Sequence, residues 1–362
     1  MAPLKQPITV ALIGCGAVAE LLYARALRAL ASERSVQTVA LVDPCGEATN
    51  RLRVSFPEAR CYSNPTELLA NGVPDLAIIA TPNRLHAEMA VTCLSKGSHV
   101  LCEKPMAPTT SECDQMIDAA ETANRTLAVD HFRGFFPSTL LIKRVLDTDL
   151  LGSIKSFRCT WCHEYDWPGR SAFKFQRKES GGGVLMDHGT HVIDLLLWWL
   201  GAIAVVRYQD DAMGGVEANC CALLETAGRV QGTIHLSHDW SVLDDNRFII
   251  DCEKGSIGYI QDVVDRVDYC LHTPHHTLKP WLDGMVARMK KGIQVLDCFT
   301  DHLRNVILTI TRKGPYTASA RRAREGIALI EECYKIRTLL DMPWMDQSEL
   351  RRAKELANSH ST

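Results

Sequence analysis

No apolar run in this chain of 362 residues approaches the length of a membrane span. The strongest, Leu195 to Val206, has 12 residues with Gly201 inside it, whereas a helix that crosses a bilayer needs about 20. It reads as the end of a buried helix followed by a strand, and no membrane partner is expected. A signal peptide's apolar segment and small-residue cleavage site are also lacking: Met-Ala-Pro-Leu-Lys-Gln-Pro leads straight into an apolar strand. The expectation is a cytoplasmic protein. Nor does one sign of charge dominate. With 40 Lys+Arg against 43 Asp+Glu there is neither a basic nucleic-acid stripe nor an acidic tail. Nucleic acid is set aside, and a small-molecule partner is expected.

Cysteine, by contrast, is not scarce. Fourteen thiols in a chain without an export signal are expected to be reduced rather than paired in a disulfide framework. Cys159-Thr-Trp-Cys162-His163 has the spacing of a covalent haem attachment, but it falls in a strand-like run from Ile154 to Glu164. Positions three apart in a strand point to opposite faces, so the haem reading fails. His272, His275 and His276 share a Pro-containing loop without a nearby carboxylate or Cys ligand. They read as surface histidines, and no metal site is expected.

The chain is long for one hydrophobic core, so two domains are the natural division. Ile8-Thr-Val-Ala-Leu-Ile13 is a short apolar run ending at Gly14-Cys-Gly16-Ala17-Val18-Ala19, after which Val18 to Ala31 has helical composition. In this strand, turn and helix, Gly14 permits the turn, Gly16 lets the backbone approach a pyrophosphate, and Ala19 allows close packing on the sheet. The helix N-terminus, with Ala17 and Val18, then faces the phosphates. A second strand, Thr38 to Val42, ends at Asp43. A carboxylate there accepts from the adenosine ribose hydroxyls and repels a 2′-phosphate, which favours NAD over NADP.

The alternation continues with a strand at Leu76 to Ala80, a helix at Leu85 to Lys96 and a strand at His99 to Cys102. Such alternation means a parallel, doubly wound sheet. Thr81-Pro82-Asn83 with His86, and Glu103-Lys104-Pro105, follow the carboxyl ends of two strands, the edge at which ligands bind in these sheets. Thr109 and Glu112 are spaced as a capping box, so a helix to about Asn124 starts just past the second tripeptide.

Further on, Gly181-Gly-Gly-Val-Leu-Met-Asp187-His-Gly-Thr-His191-Val-Ile-Asp194 is a glycine-rich turn running into a helix. The four-residue spacing of Asp187 and His191 stacks a carboxylate and an imidazole on one helical face. Beside a redox cofactor such a pair can move the proton that leaves or joins an alcohol oxygen. His188 reads as a bystander. Just before it, Glu164 to Lys178 is rich in aromatics and charges. Tyr165 and Trp167 suit sugar C–H surfaces, and Arg170 suits hydroxyls. Arg170, Lys174, Arg177 and Lys178 fit a phosphorylated substrate, a nucleotide-sugar diphosphate or an exposed basic loop. Strands at Ile154 to Glu164, Asn219 to Leu224, Arg229 to Leu236 and Phe248 to Cys252 suggest a mostly antiparallel sheet, with a long helix from Ala318 to Leu340 after it.

Gly14-x-Gly16-x-x-Ala19, Ala80-Thr-Pro-Asn83 with His86, Glu103-Lys104-Pro105 and the segment from Gly181 to Asp194 together resemble the glucose-fructose oxidoreductase, inositol dehydrogenase and rhizopine-catabolism (Gfo/Idh/MocA) family, over about 330 residues. The resemblance implies an α/β protein. Its N-terminal Rossmann domain would be a doubly wound parallel sheet, and its C-terminal α/β domain would carry a large, mostly antiparallel open sheet. Boundaries are expected at 1–129 for the NAD-binding domain, 130–340 for the substrate and oligomerisation domain, and 341–362 for a polar tail. It further implies Lys104 as the active-site lysine, Asp187 as its partner carboxylate and His191 as proton donor and acceptor. Glu103 would lie near the nicotinamide ribose and His86 near the cofactor. A sugar or cyclitol substrate and a homodimer or homotetramer are implied as well. Gly134, in Arg133-Gly134-Phe135-Phe136-Pro137, departs from the family pattern by replacing a side chain that could reach substrate.

Ionising an unassisted alcohol near pH 7 must overcome roughly nine pK units, about 12 kcal/mol. One ammonium at about 4 Å in an effective dielectric near 20 offers about 4 kcal/mol. Lys104 alone is insufficient, so a base must take the proton as hydride departs, and His191 is suited to it. Three other functions share the fold: a sensor or co-regulator that binds the dinucleotide without turnover, an enzyme that cleaves a glycosidic bond through transient oxidation with NAD regenerated, and a reductase of an unrelated carbonyl or imine. Retention of Lys104, Asp187 and His191 opposes the first.

Overall fold

The computed structural model describes residues 6–239, 246–272, 277–278, 292–312, 319–343 and 345–358. Two compact units are formed. The first comprises Met1–Phe135, Pro168–Ala172 and Gln294–Ile327, and the second Phe136–Trp167, Phe173–Ile293 and Ala328–Thr362. The chain is therefore interleaved rather than cut at 129 and 340. The reason is visible in the helix Val295–Arg312, whose Phe299, Leu303, Val306 and Ile307 are buried in the core of the first unit beside Leu12, Tyr23 and Leu27. Burying those four side chains ties a late stretch of sequence to the N-terminal sheet.

In the first unit, β1 (Ile8–Ile13), β2 (Val36–Val42), β3 (Arg60–Tyr62), β4 (Leu76–Ile79), β5 (His99–Cys102) and β6 (Leu127–Val129) form a parallel sheet in the order β3-β2-β1-β4-β5-β6. Order reverses between β1 and β4, and ligands bind at such a switch point. All four residues of β4 are buried, as expected for a central strand covered on both faces. The expected capping box is present: Thr109 accepts from the Glu112 amide, Glu112 accepts from the Thr109 amide, and the helix Thr110–Ala123 ends at Asn124 in the left-handed region.

In the second unit the described strands are β7 (Ile154–Cys162), β8 (Ile203–Asp210), β9 (Asn219–Thr226), β10 (Gln231–Ser237), β11 (Arg247–Cys252), β12 (Gly255–Ile260), β13 (Asp268–His272), β14 (Thr277–Leu278) and β15 (Thr338–Leu339). They make one sheet in the order β14-β13-β12-β11-β7-β10-β9-β8-β15. Pairing is antiparallel except between β7 and β10 and between β8 and β15. The four sequence-read strands are present, and Cys159 and Cys162 are buried within β7, with all fourteen cysteines free. The strict alternation of burial along β9 and β11 is the two-residue period of a sheet with one covered face. Instead of one helix from Ala318 to Leu340, the chain forms the helix Ala320–Lys335 followed by β15, and the polar tail holds the helix Gln347–Asn358. His275 and His276, and the side chain of His272, lie outside the described residues. No helix among the described residues is long and apolar enough to cross a membrane.

Candidate active site

β1 delivers its glycine turn to the switch point. Gly14 has φ +93°, and a Cβ there would meet the Ala80 carbonyl oxygen at 2.4 Å, so both conformation and packing require glycine. A Cβ on Gly16 would meet no protein atom within 4 Å. Glycine at that position is thus not demanded by the protein's own packing, and it leaves the backbone open to the pyrophosphate of a dinucleotide. The helix that follows begins with a π-helical turn, Ala19–Tyr23, and continues as Ala24–Ser32. Ala17 and Val18 open it, Ala17 buried and Val18 packed on the core.

Asp43 has a structural task at the end of β2. Its Oδ2 accepts from the Cys15 amide at 2.9 Å and its Oδ1 from the Cys45 amide at 2.8 Å, which pins the glycine turn to the end of β2. Each carboxylate oxygen keeps a further acceptor site, so ribose hydroxyls remain compatible with these bonds.

Thr81, Pro82 and Asn83 follow β4 at the same edge, with Asn83 buried. His86 does not present its ring to a ligand. It is fully buried, with Nδ1 2.9 Å from the Pro105 carbonyl and Nε2 2.9 Å from the Thr81 carbonyl, and burial holds its pKa below the usual histidine range. The ring thus lies between the turn after β4 and the tripeptide after β5, and when neutral it donates to one of the two carbonyls. Glu103 likewise points inward: Tyr23 Oη lies 3.0 Å from its Oε1 and 2.7 Å from Asp130 Oδ2, and the Lys104 amide donates to its Oε2 at 3.2 Å. His302 Nδ1 is 3.1 Å from the other oxygen of Asp130. Burial first, then the Asp130 charge, pushes Glu103 well above the usual carboxylate range. This buried network fixes the backbone on which half-buried Lys104 stands. Tyr23, Asp130 and His302 gave no sequence signal as site residues.

In the second unit, the turn Gly181 to Gly183 leads into a π-helical turn, Leu185–Gly189, and then the helix Thr190–Leu200. Single π turns frequently occur at functional sites. His191 and Asp194 are buried, and Asp187 is half-buried. The Asp187 carboxylate accepts from Lys174 Nζ at 2.8 Å. Lys174 also sits 5.6 Å from the Tyr165 ring centre and 5.8 Å from that of Trp167. In the sequence Lys174 stands only within a basic stretch, and its pairing with Asp187 is a tertiary fact.

His188 sits in an aromatic cluster. Its ring stacks on Trp161 at 4.2 Å and 9° and on His163 at 4.7 Å and 15°, and meets His238 edge-on at 4.3 Å. Asp187, His188 and His238 bring one metal-ligand type of atom each to within 4.8 Å of one another. Lys174 already neutralises that carboxylate, and the group is an imidazole stack beside an ion pair.

The basic stretch is largely occupied internally. Arg170, which belongs to the first unit, donates to Glu20 at 2.7 Å, beside Arg51 on the same carboxylate at 2.8 Å. Arg177 lies over the Tyr334 ring at 5.2 Å. Arg133, before Gly134, is buried.

Glu217 lies beneath the glycine turn, wholly buried, and burial followed by the charge of Asp210 pushes its carboxyl up to about 7. An acid whose folded value exceeds its unfolded one contributes stability that is full below the unfolded value and is lost as pH rises through the folded value. From the ordinary 4.5 to about 7, the difference amounts to about 3 kcal/mol. Urea unfolding from pH 4 to 8 is expected to show wild type losing stability relative to Glu217→Gln across that window. A constant difference would contradict the raised value.

Comparison with known proteins follows the same division. Residues 8–131 match a family model described as "Oxidoreductase family, NAD-binding Rossmann fold", and residues 139–258 match the "GFO/IDH/MocA C-terminal domain". The chain is 29% identical over 315 residues to D-glucoside 3-dehydrogenase of Escherichia coli K12, covering 83% of this chain and 89% of that protein. It is 29% identical over 220 residues to scyllo-inositol 2-dehydrogenase (NADP(+)) of Bacillus subtilis, covering 59% of this chain and 63% of that one. Among solved structures, levoglucosan dehydrogenase in complex with NADH and levoglucosan shares the fold with a TM-score of 0.77 at 21% identity, over 91% of this chain and 98% of that one.

Proposed function

Since the chain belongs to the Gfo/Idh/MocA family of NAD-binding oxidoreductases, we propose that it transfers hydride between nicotinamide and a secondary alcohol or ketone of a sugar, sugar derivative or cyclitol. The observation that carries the proposal is the placement of a buried His191 four residues after an Asp187 held by Lys174, where a π-helical turn runs into a helix. Relatives named for D-glucoside and scyllo-inositol support a polyhydroxylated ring as substrate.

A nicotinamide, when bound, supplies the hydride acceptor or donor. Gly14, Gly16, Ala17, Val18 and Asp43 hold the dinucleotide, with Thr81, Pro82 and Asn83 at the same edge of the sheet. Lys104 polarises the reacting oxygen, and His191 removes its proton in oxidation and returns it in reduction. Asp187, held by Lys174, orients the imidazole. Tyr165 and Trp167 offer their faces to the ring of the substrate. A cytoplasmic homodimer or homotetramer completes the proposal.

Appearance of NADH absorbance when the protein and NAD are mixed with a panel of inositols, hexoses, glucosides and sugar phosphates tests this assignment. Growth with one compound is expected. Binding of NADH without growth on any of them would favour a sensor or a redox-neutral glycosidase. Asp43→Ser is expected to lower the NAD-to-NADP preference by about tenfold or more, because a charged acceptor for the ribose is lost and repulsion of a 2′-phosphate with it. An unchanged ratio would remove Asp43 from the ribose site.

A further inference from the structure

Three consecutive amides of the turn before Asp187 are claimed by one residue. Gly183 N and Leu185 N donate to Glu217 Oε1 at 3.0 and 3.1 Å, and Val184 N donates to the Glu217 carbonyl at 2.9 Å. Tyr334 Oη donates to the same Oε1 at 2.7 Å. The glycines exist to admit these two residues: a Cβ on Gly183 would meet the Glu217 carbonyl at 1.9 Å, and one on Gly182 would meet Tyr334 Oη at 2.0 Å. A Cβ at either position would force the clamp open.

We infer that Glu217 and Tyr334 are positioning residues, a buried clamp that sets the path of the glycine turn and with it the aim of Asp187 and His191. The inference rests on the site proposed above and adds two residues to it, neither of which touches substrate. Glu217 Oε2, by contrast, has no hydrogen-bond partner among the described residues. Around the clamp stand Asp210, which is paired with Arg337, and Arg177 against the Tyr334 ring. Since all the donors converge on Oε1, a neutral carboxyl or an amide with its second atom at Oε2 can serve as the acceptor equally well. An apolar side chain cannot, and it would leave the donors buried without a partner.

The test compares full-length wild type, Glu217→Gln, Glu217→Leu and Tyr334→Phe by hydrogen exchange of the segment 182–188 and by steady-state kinetics, with NADH affinity from fluorescence. Glu217→Gln is expected to keep wild-type protection and a kcat within about threefold, because the acceptor is retained. Glu217→Leu is expected to lose protection in this segment and to lower kcat by about tenfold or more with KM and NADH affinity little changed. Tyr334→Phe should fall between them. Wild-type exchange and kcat in Glu217→Leu would overturn the inference, as would equal losses in the Gln and Leu variants. Should Glu217→Leu fail to fold, Tyr334→Phe decides: unchanged exchange and kcat there would overturn it. A fully active His191→Asn would instead sink the underlying site assignment, while leaving the exchange result to stand for the clamp.

Discussion

Lys104→Ala is expected to lower kcat by about a thousandfold while leaving NADH affinity within about threefold of wild type. The magnitude follows from the charge: an ammonium at about 4 Å from a developing alkoxide in an effective dielectric near 20 supplies about 4 kcal/mol, and each 1.4 kcal/mol is a factor of ten. Affinity for the dinucleotide should survive because the pyrophosphate end is held elsewhere, by the glycine turn that Asp43 anchors through Cys15 and Cys45. The backbone beneath Lys104 is also secured independently of its side chain, by Glu103, Tyr23 and Asp130 and by the His86 bridge to Pro105. Steady-state kinetics with NADH titration distinguishes the outcomes. Equal losses in turnover and affinity would give Lys104 a folding role, and retention of turnover would remove it from the chemistry.

His191→Asn carries the second large effect, a fall in kcat of about a hundredfold to ten-thousandfold, the usual worth of a positioned acid-base group. Asparagine keeps a polar side chain of similar length at a site where His191 is 7% exposed, so the fold should tolerate it. Added imidazole should restore part of the lost rate. A variant with full activity would move the proton transfer to another group, and His188, stacked on Trp161 in the same turn, would be the next to examine.

Much of this site was legible because its chemistry depends on local backbone rules. Gly14 announces its positive φ, Asp43 follows an apolar strand at the expected place, and Thr109 with Glu112 forms the capping box its spacing requires. Strands such as Asn219–Thr226 were readable, as far as Leu224, from their apolar composition and the glycine-containing turns beside them. Side-chain direction was less accessible. His86 and Glu103 stand beside the ligand edge in sequence, yet both turn into the interior, because proximity to a strand end does not decide which way a side chain points. Partners distant in sequence were not accessible at all. The Gly181-Gly-Gly triplet reads only as a glycine-rich turn, because its partners are remote: Glu217 lies 34 positions from Gly183, and Tyr334 another 117 beyond Glu217. The return of the helix Val295–Arg312 to the N-terminal core is of the same kind, since an amphipathic helix does not name the surface it covers.

Hydride transfer itself is tested most directly with an alcohol substrate deuterated at the carbon to be oxidised, followed by mass analysis of the nicotinamide. The account requires one deuterium in the NADH formed by wild type, and the same labelled NADH accumulating about a thousandfold more slowly with Lys104→Ala. Unlabelled NADH, or consumption of the substrate with release of an aglycone and no NADH, would contradict it.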